Sequence, residues 1–463
     1  MHNTARSTFD AVVVGAGPAG STAAIQLARA GWSVALVERQ PFPRRKVCGE
    51  CIAASNWPLL QALGVADAVD ALAGPPLRRV ALLHGARTAE ADLPAAANAR
   101  FAWGRALGRE TLDTLLLAQA RSAGATVFQP CAVHAILGTA GAWHCELRPV
   151  DSPGLLRLRA RVVIDAHGSW EDLPSDRPQR RLARSAADLF AFKVNLSGST
   201  LPEGRISVLA LNGGYGGMVV ADQGITTVAC CIRRDRLHEL RAGAPGLRAG
   251  DAVQAWLQRE CAGVRQAMDG ACHEGPWMTA GPLAPGVRLH AADGVFRVGN
   301  AAAEAHPILG EGLSMALQSA ALLCSLLLGQ GAPAAPDAAA QSSVMRRYAA
   351  AWRREFAPRL RLAAAFAHLA MQPRCAATLV GLASIWPALL TQGARWGAKV
   401  RTPNTLQAPT CRNSSKTSST PSSNAASRPT ASCACAAATA ATTGWLPSAA
   451  SGAGSARRAG PGA

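Results

Sequence analysis

Apolar runs of strand length alternate with Ala/Leu-rich stretches of helical period from residue 10 to about 170. That alternation predicts a parallel sheet with helices between its strands. The run Ala11 to Val14 reads as a buried strand, Ala19 to Ala30 as a helix and Ser33 to Val37 as a second strand. Between about 176 and 280 come β-type segments, LFAFKVNL, RISVLAL, YGGMVVA and ITTVACCI, separated by Gly-containing turns. They predict an antiparallel sheet, which strands near 78–105, including RRVALLHG, are placed to join. The α/β character returns after Gly294, and residues 340 to 400 follow a helical pattern with arginines on one side. From Thr402 the chain is rich in Ser, Thr, Ala, Pro and Gly without periodicity, a composition expected to stay disordered. The expected organisation is an α/β parallel-sheet domain in two parts (1–175 and 281–335), an inserted antiparallel sheet (176–280), a helical part (336–401) and a tail (402–463).

Composition changes this picture only in places. Hydrophobic residues make up 49% and charged residues 16%, which excludes a wholly disordered, collagen-like or coiled-coil chain. The net charge of +18 comes from 47 Lys+Arg against 29 Asp+Glu. These cations are scattered arginines rather than a basic run interleaved with aromatics, so nucleic acid is not an expected partner. An anionic cofactor or membrane surface suits them better. Thirteen cysteines without regular paired spacing point to neither a disulfide framework nor a metal site. The N-terminus MHNTARSTFD has no signal-peptide core, and a cytoplasmic location is expected. Cys375 to Ala394 carries no charge but is interrupted by Pro387, which suits packed or interfacial helices with peripheral membrane contact better than a span.

The sharpest chemistry lies in DAVVVGAGPAGSTAAIQLARAGWSVALVERQ, where Gly15, Gly17 and Gly20 follow a strand in G-x-G-x-x-G spacing. Gly15 permits the tight turn, Gly17 lets a pyrophosphate approach the backbone, and Gly20 lets the helix lie against the strand. The helix opening at Ala19 aims free N–H groups at the phosphates. Glu38, eighteen residues after Gly20, is positioned to accept from ribose hydroxyls and to disfavour a 2′-phosphate. Both FAD and NAD fit these residues.

A resemblance over residues 10–400 separates them. The opening block followed by PFPRRKVCGE resembles the geranylgeranyl reductase-like branch of the hydroxylase-type flavoproteins, a superfamily that also contains aromatic-ring monooxygenases and flavin halogenases. GRETLDTLLLAQARSAGATV, VVIDAHGSW and VFRVGNAAAEAHPILGEGLSMAL match further blocks in the family's order. The resemblance implies a Rossmann-type FAD-binding domain, with Arg109 lying against the nucleotide and Leu112 and Asp113 fixing its helix. It also implies a second FAD fingerprint at Gly299, Asn300, Gly310, Gly312 and Leu313. Arg39 and Arg45, beside Glu38, complete the expected cofactor set. Asn300 stands where the family has the Asp that bonds the ribityl or ribose hydroxyls, a bond its amide can still make; His167 stands where the family has the Asp of Ala-Asp-Gly, which bears on electron delivery by NADPH or NADH, the candidate reductants.

On the substrate side, the family's Lys-x-Cys-Gly block implies that Cys48 lines the cavity, able to donate a proton to a reacting carbon. His306, before Pro307, is a candidate acid near the ring. Tyr215, among glycines, is a candidate substrate contact. The expected substrate is a small hydrophobic molecule: a polyketide, isoprenoid or aromatic. The expected activity is flavin monooxygenation, with double-bond reduction and a non-catalytic electron-transfer role as alternatives. Halogenation is not expected, because that branch's Trp-x-Trp-x-Ile-Pro block is absent and the next lysine after Lys46 is Lys193.

Overall fold

The computed structural model describes residues 7–98, 100–152, 154–169, 185–289, 293–329 and 335–396. The tail expected from Thr402 lies outside the described residues.

The first sheet is built from apolar runs that can be buried on both faces, as parallel strands must be. Strand Thr8–Val14 lies between Val34–Val37 and Leu156–Asp165, all parallel, with Thr126–Phe128 beyond Val34–Val37. Phe296–Arg297 pairs in parallel with the end of Leu156–Asp165, so the chain returns to this sheet after a long excursion. One face is covered by helices Pro18–Arg29, Arg109–Ser122 and Gly312–Leu328, which bury Ile25, Leu112, Leu116 and Leu317 with Val13 and Leu36. The sheet continues antiparallel from Leu156–Asp165 into the hairpin Ala142–Pro149 with Cys131–Thr139, whose Trp143 and Leu147 pack with Val12 and Val14 on the other face.

The excursion forms a second sheet, ordered Cys272–His273, Leu189–Ser197, Thr226–Arg233, Gly214–Val220, Arg205–Leu211, Arg79–His84, Arg87–Asp92. Its pairings are antiparallel except that of Arg205–Leu211 with Arg79–His84. The two-residue period sorts its side chains. Phe192, Val194, Met218, Val228 and Ile232 pack under helices Arg234–Ala242, Ala249–Glu260 and Ala262–Met268, where Trp256 and Val264 are wholly buried. Those helices fall in the span expected to be β-type throughout. The opposite face, with Ala191, Tyr215, Cys231 and Ala210, meets Ile308 and the long helix Ala338–Ala370. The architecture is the α/β arrangement expected: a parallel-sheet domain, an inserted antiparallel sheet and a helical C-terminal part.

Candidate active site

The glycines of the first turn divide their work visibly. Gly15 has φ +98°, and a Cβ there would meet Ala166 O at 2.5 Å, while its N–H donates to Val37 O at 2.7 Å. A Cβ on Gly20 would lie 1.8 Å from Gly15 O. Gly17 is different: its Cβ would meet only the tip of Arg109, at 3.7 Å. Two glycines thus close the turn, and the third leaves a cradle at the start of helix Pro18–Arg29, where backbone N–H groups are free to receive an anion.

Cations converge on that cradle. Arg109 is buried and donates to both oxygens of Asp113, at 2.7 Å each. Arg44 lies 3.6 Å from Glu38 and 3.5 Å from Asp113. Burial, with Arg109 and Arg44 nearby, pushes the Lys46 ammonium down to about 8. Three cations therefore face two carboxylates, and a diphosphate would relieve the repulsion among them. Glu38 is buried at the end of its strand; Oε2 accepts from Ala16 N–H and Oε1 from Gln40 N–H, each at 2.9 Å. It holds the glycine turn in place beside the cradle.

The adjacent arginines do not both belong here. Arg45 turns outward, donating to Glu110 Oε2 at 2.9 Å and to the Glu274 carbonyl, so Arg44 takes the place expected of Arg45. Arg39 is exposed. Of the run Arg44-Arg45-Lys46, only Arg44 and Lys46 reach the cradle.

The second fingerprint closes on the first. A Cβ on Gly299 would come within 2.9 Å of the Ala19 methyl, and Gly299 N–H donates to Ser319 Oγ at 2.8 Å, so this segment is clamped between the start of helix Pro18–Arg29 and helix Gly312–Leu328. The Asn300 amide donates to Ser169 Oγ at 2.7 Å, tying this segment to the turn containing His167. There His167 Nδ1 pairs with Asp165, so a carboxylate is present two residues before the expected position. Gly310 ends a short 3-10 turn in the left-handed conformation and Gly312 opens helix Gly312–Leu328. A Cβ on Gly312 would meet nothing within 4 Å, and Leu313 is buried behind it. A second helix N-terminus thus presents amides to open space, as a flavin ring edge requires.

Beside these lies the inner face of the second sheet. Gly217 pairs with Ala229 in its middle, and both are only half-buried although their strands are central. They floor a hollow between Thr227 and Val219 on one side and Cys231 and Tyr215 on the other. Tyr215 and His306, singled out separately, form one unit: the Tyr215 hydroxyl and His306 Nδ1 are 3.1 Å apart. Burial, then His368, pushes the His306 imidazole down to about 4. Burial, then Cys231 and Glu304, raises the Tyr215 hydroxyl well above its ordinary value. Burial thus favours the neutral form of both and arranges His306 to accept a proton, where the sequence offered it as an acid. Cys48 lies against Arg109, at the cradle side of the site.

Two residues that the sequence did not single out join the halves. Glu50, buried and with φ +59°, receives Lys193 Nζ at Oε1 and the Thr227 hydroxyl at Oε2. Its Oε1 also accepts from Arg109 N–H at 3.1 Å. The only cue was a lysine inside the apolar strand LFAFKVNL, at a position that shares the inner face with Ala191.

These features meet in the comparisons with known proteins. The family described as FAD binding domain matches residues 8–355. The chain belongs to this family. As a member it is an FAD-dependent oxidoreductase. It is similar to digeranylgeranylglycerophospholipid reductase 1 of Methanopyrus kandleri, with 27% identity over 75% of this chain and 87% of the relative. It is also similar to a tryptophan 2-halogenase of Chondromyces crocatus, with 28% identity over 68% of this chain, a match spanning 60% of that relative's length. The expectation that set the halogenase branch aside is therefore not upheld. In fold it resembles a geranylgeranyl bacteriochlorophyll reductase-like protein from Thermoplasma acidophilum, with 17% identity, TM-score 0.67, and coverage of 87% of this chain and 98% of that one. For this flavoprotein, the cradle at Gly17, the Arg44–Lys46–Arg109 cluster, Glu38 and the open helix start at Gly312 fit FAD from diphosphate to ring.

Proposed function

We propose that this flavoprotein hydroxylates a hydrophobic small molecule bearing a phenolic or enolic hydroxyl, using NADPH or NADH as reductant. The observation that carries the reading is the buried, neutral Tyr215–His306 pair beside the Gly217–Ala229 hollow. Bound FAD supplies the two-electron and oxygen chemistry. The chain's own part begins with holding it: the amides after Gly17 with Arg44, Lys46 and Arg109 take the diphosphate, Glu38 faces the adenosine ribose, and the amides of Gly312 and Leu313 meet the ring edge. The apolar floor of the hollow excludes water from the reacting carbon. Tyr215 accepts the proton of the substrate hydroxyl while passing its own to His306 Nδ1. An anionic ligand at the neighbouring helix start raises the imidazole toward the working pH and so favours that transfer. Withdrawal of the proton makes the substrate carbon electron-rich, which suits oxygen transfer and is of no use for saturating an isolated double bond.

A second reading, double-bond reduction, is favoured by one feature: Cys48 on the cradle side, a thiol placed to protonate carbon, together with the similarity to the Methanopyrus reductase. The variants Tyr215→Phe and Cys48→Ala separate the two. Under hydroxylation, Tyr215→Phe lowers kcat by about a hundredfold with flavin content unchanged, and Cys48→Ala leaves turnover near the parent's. The reverse pattern would overturn the proposal.

A further inference from the structure

The C-terminal helices carry a surface that neither the cradle nor the hollow uses. Helix Pro373–Ile385 buries Ala376, Val380 and Ala383 in the core shared with the second sheet. The Thr391 hydroxyl, in the following helix, donates to Asp92 O at 2.8 Å. Both helices are therefore seated along one side. Their other side is open: Leu382, Ile385, Trp386 and Leu389 are 39, 69, 60 and 51% exposed. Between the helices the chain bends by 107°. Pro387 lacks the N–H that would continue the helix and disfavours helical geometry at the residue before it; Trp386 accordingly sits at φ −125°, ψ 79°. The bend gathers the four apolar side chains at an apex. Among the described residues no single helix is long and apolar enough to cross a membrane, and this bent pair passes by length and composition alone.

The two ends of the bent pair are cationic. Arg374 and Arg395, flanking the apolar stretch, are both exposed, and no acidic residue lies between them in the chain. An exposed tryptophan and aliphatic residues flanked by an arginine at each end of the pair match the layers of an anionic leaflet: acyl boundary at the apex, phosphates on either side. A second copy of the chain, equally cationic there, would repel.

We propose that the bent pair Pro373–Ile385 and Ala388–Arg395 docks this protein on an anionic lipid surface without crossing it. Ile385, Trp386 and Leu389 enter the headgroup–acyl boundary, and Arg374 and Arg395 rest on the phosphates. The first helix of the pair also walls the hydroxylation site: its Ala376, Val380 and Ala383 share a core with Tyr215, as do Ala367 and Ala370 of the preceding helix, whose His368 ring is centred 5.6 Å from that of His306. A hydrophobic substrate dissolved in the leaflet would thus enter beside the Tyr215–His306 pair.

The test is co-sedimentation of the flavin-loaded protein with vesicles of phosphatidylcholine alone or with one third phosphatidylglycerol, so docking is read independently of any activity. Expected is binding to the anionic vesicles that 0.5 M salt weakens. The combined variant Ile385→Ser, Trp386→Ser, Leu389→Ser should lower partitioning by roughly tenfold or more, with flavin content equal to the parent's as the check on folding. Arg374→Gln with Arg395→Gln should lower it on anionic vesicles alone. The proposal is overturned by absent vesicle binding, by equal binding of the serine variant, by equal binding to neutral vesicles, or by a dimer that the serine substitutions dissolve while vesicles bind neither form.

Discussion

Gly17→Val is expected to give a folded chain without flavin, and Gly20→Val to give little folded chain at all. The two glycines are three residues apart in one motif, yet a side chain meets different things at each. At Gly17, with φ −67° and ψ −176°, any residue is tolerated, and the added Cβ has only the tip of a flexible arginine at 3.7 Å. The space it fills is the diphosphate's. At Gly20 the Cβ falls 1.8 Å from a backbone oxygen of the same turn, and relief requires the helix to leave the strand. That would cost more than about 4 kcal/mol, a large part of the 5–15 kcal/mol by which most folded proteins are stable. Visible absorbance of the purified variants and their thermal melts read both outcomes. Stoichiometric flavin on Gly17→Val would remove the cradle from the site.

Lys193→Met is expected to destabilise the protein by about 3–5 kcal/mol, because it strands the Glu50 carboxylate in the interior. Glu50 is 2% and Lys193 1% exposed, so water cannot replace the lost partner. The double variant Lys193→Met with Glu50→Gln should recover most of that loss, since no buried charge is left. Glu50 also receives Arg109 N–H, so the single variant should release flavin more readily than the double. Urea unfolding of the three proteins measures this. Equal midpoints for the parent and Lys193→Met would show that the pair is dispensable.

What the sequence made legible follows from the range of the forces involved. The first fingerprint is local: turn, cradle and helix start lie within six residues, and sterics at each glycine leave a residue-type trace. The strands of the second sheet show through their β-type composition and the turns between them. Helix Arg234–Ala242 does not, because it is short, mostly charged and buries no residue fully; Leu237 and Leu240, partly packed against the sheet, are too few to separate RDRLHELRA from a loop between strands. Long-range pairings leave weaker traces still. Glu50 and Lys193 are 143 residues apart, and Tyr215 and His306 are 91 apart, so their meeting depends on how the segments after the two fingerprint strands pack against the inner face of the second sheet. Arg44 and Arg45 were indistinguishable because the choice between cradle and surface is made by an irregular segment with no periodic pattern. His306 was read as an acid from its residue type, whereas burial and the neighbouring His368 favour its neutral form.

Oxygen labelling addresses the hydroxylation reading most directly. The flavin-loaded protein would be given a long-chain alkylphenol in anionic vesicles, NADPH or NADH, and 18O2, and the product's mass determined. One atom of 18O in the phenolic product, with loss of incorporation in Tyr215→Phe, is the predicted result. A product that gains two hydrogens without oxygen, or a halogen when halide is present, would contradict it.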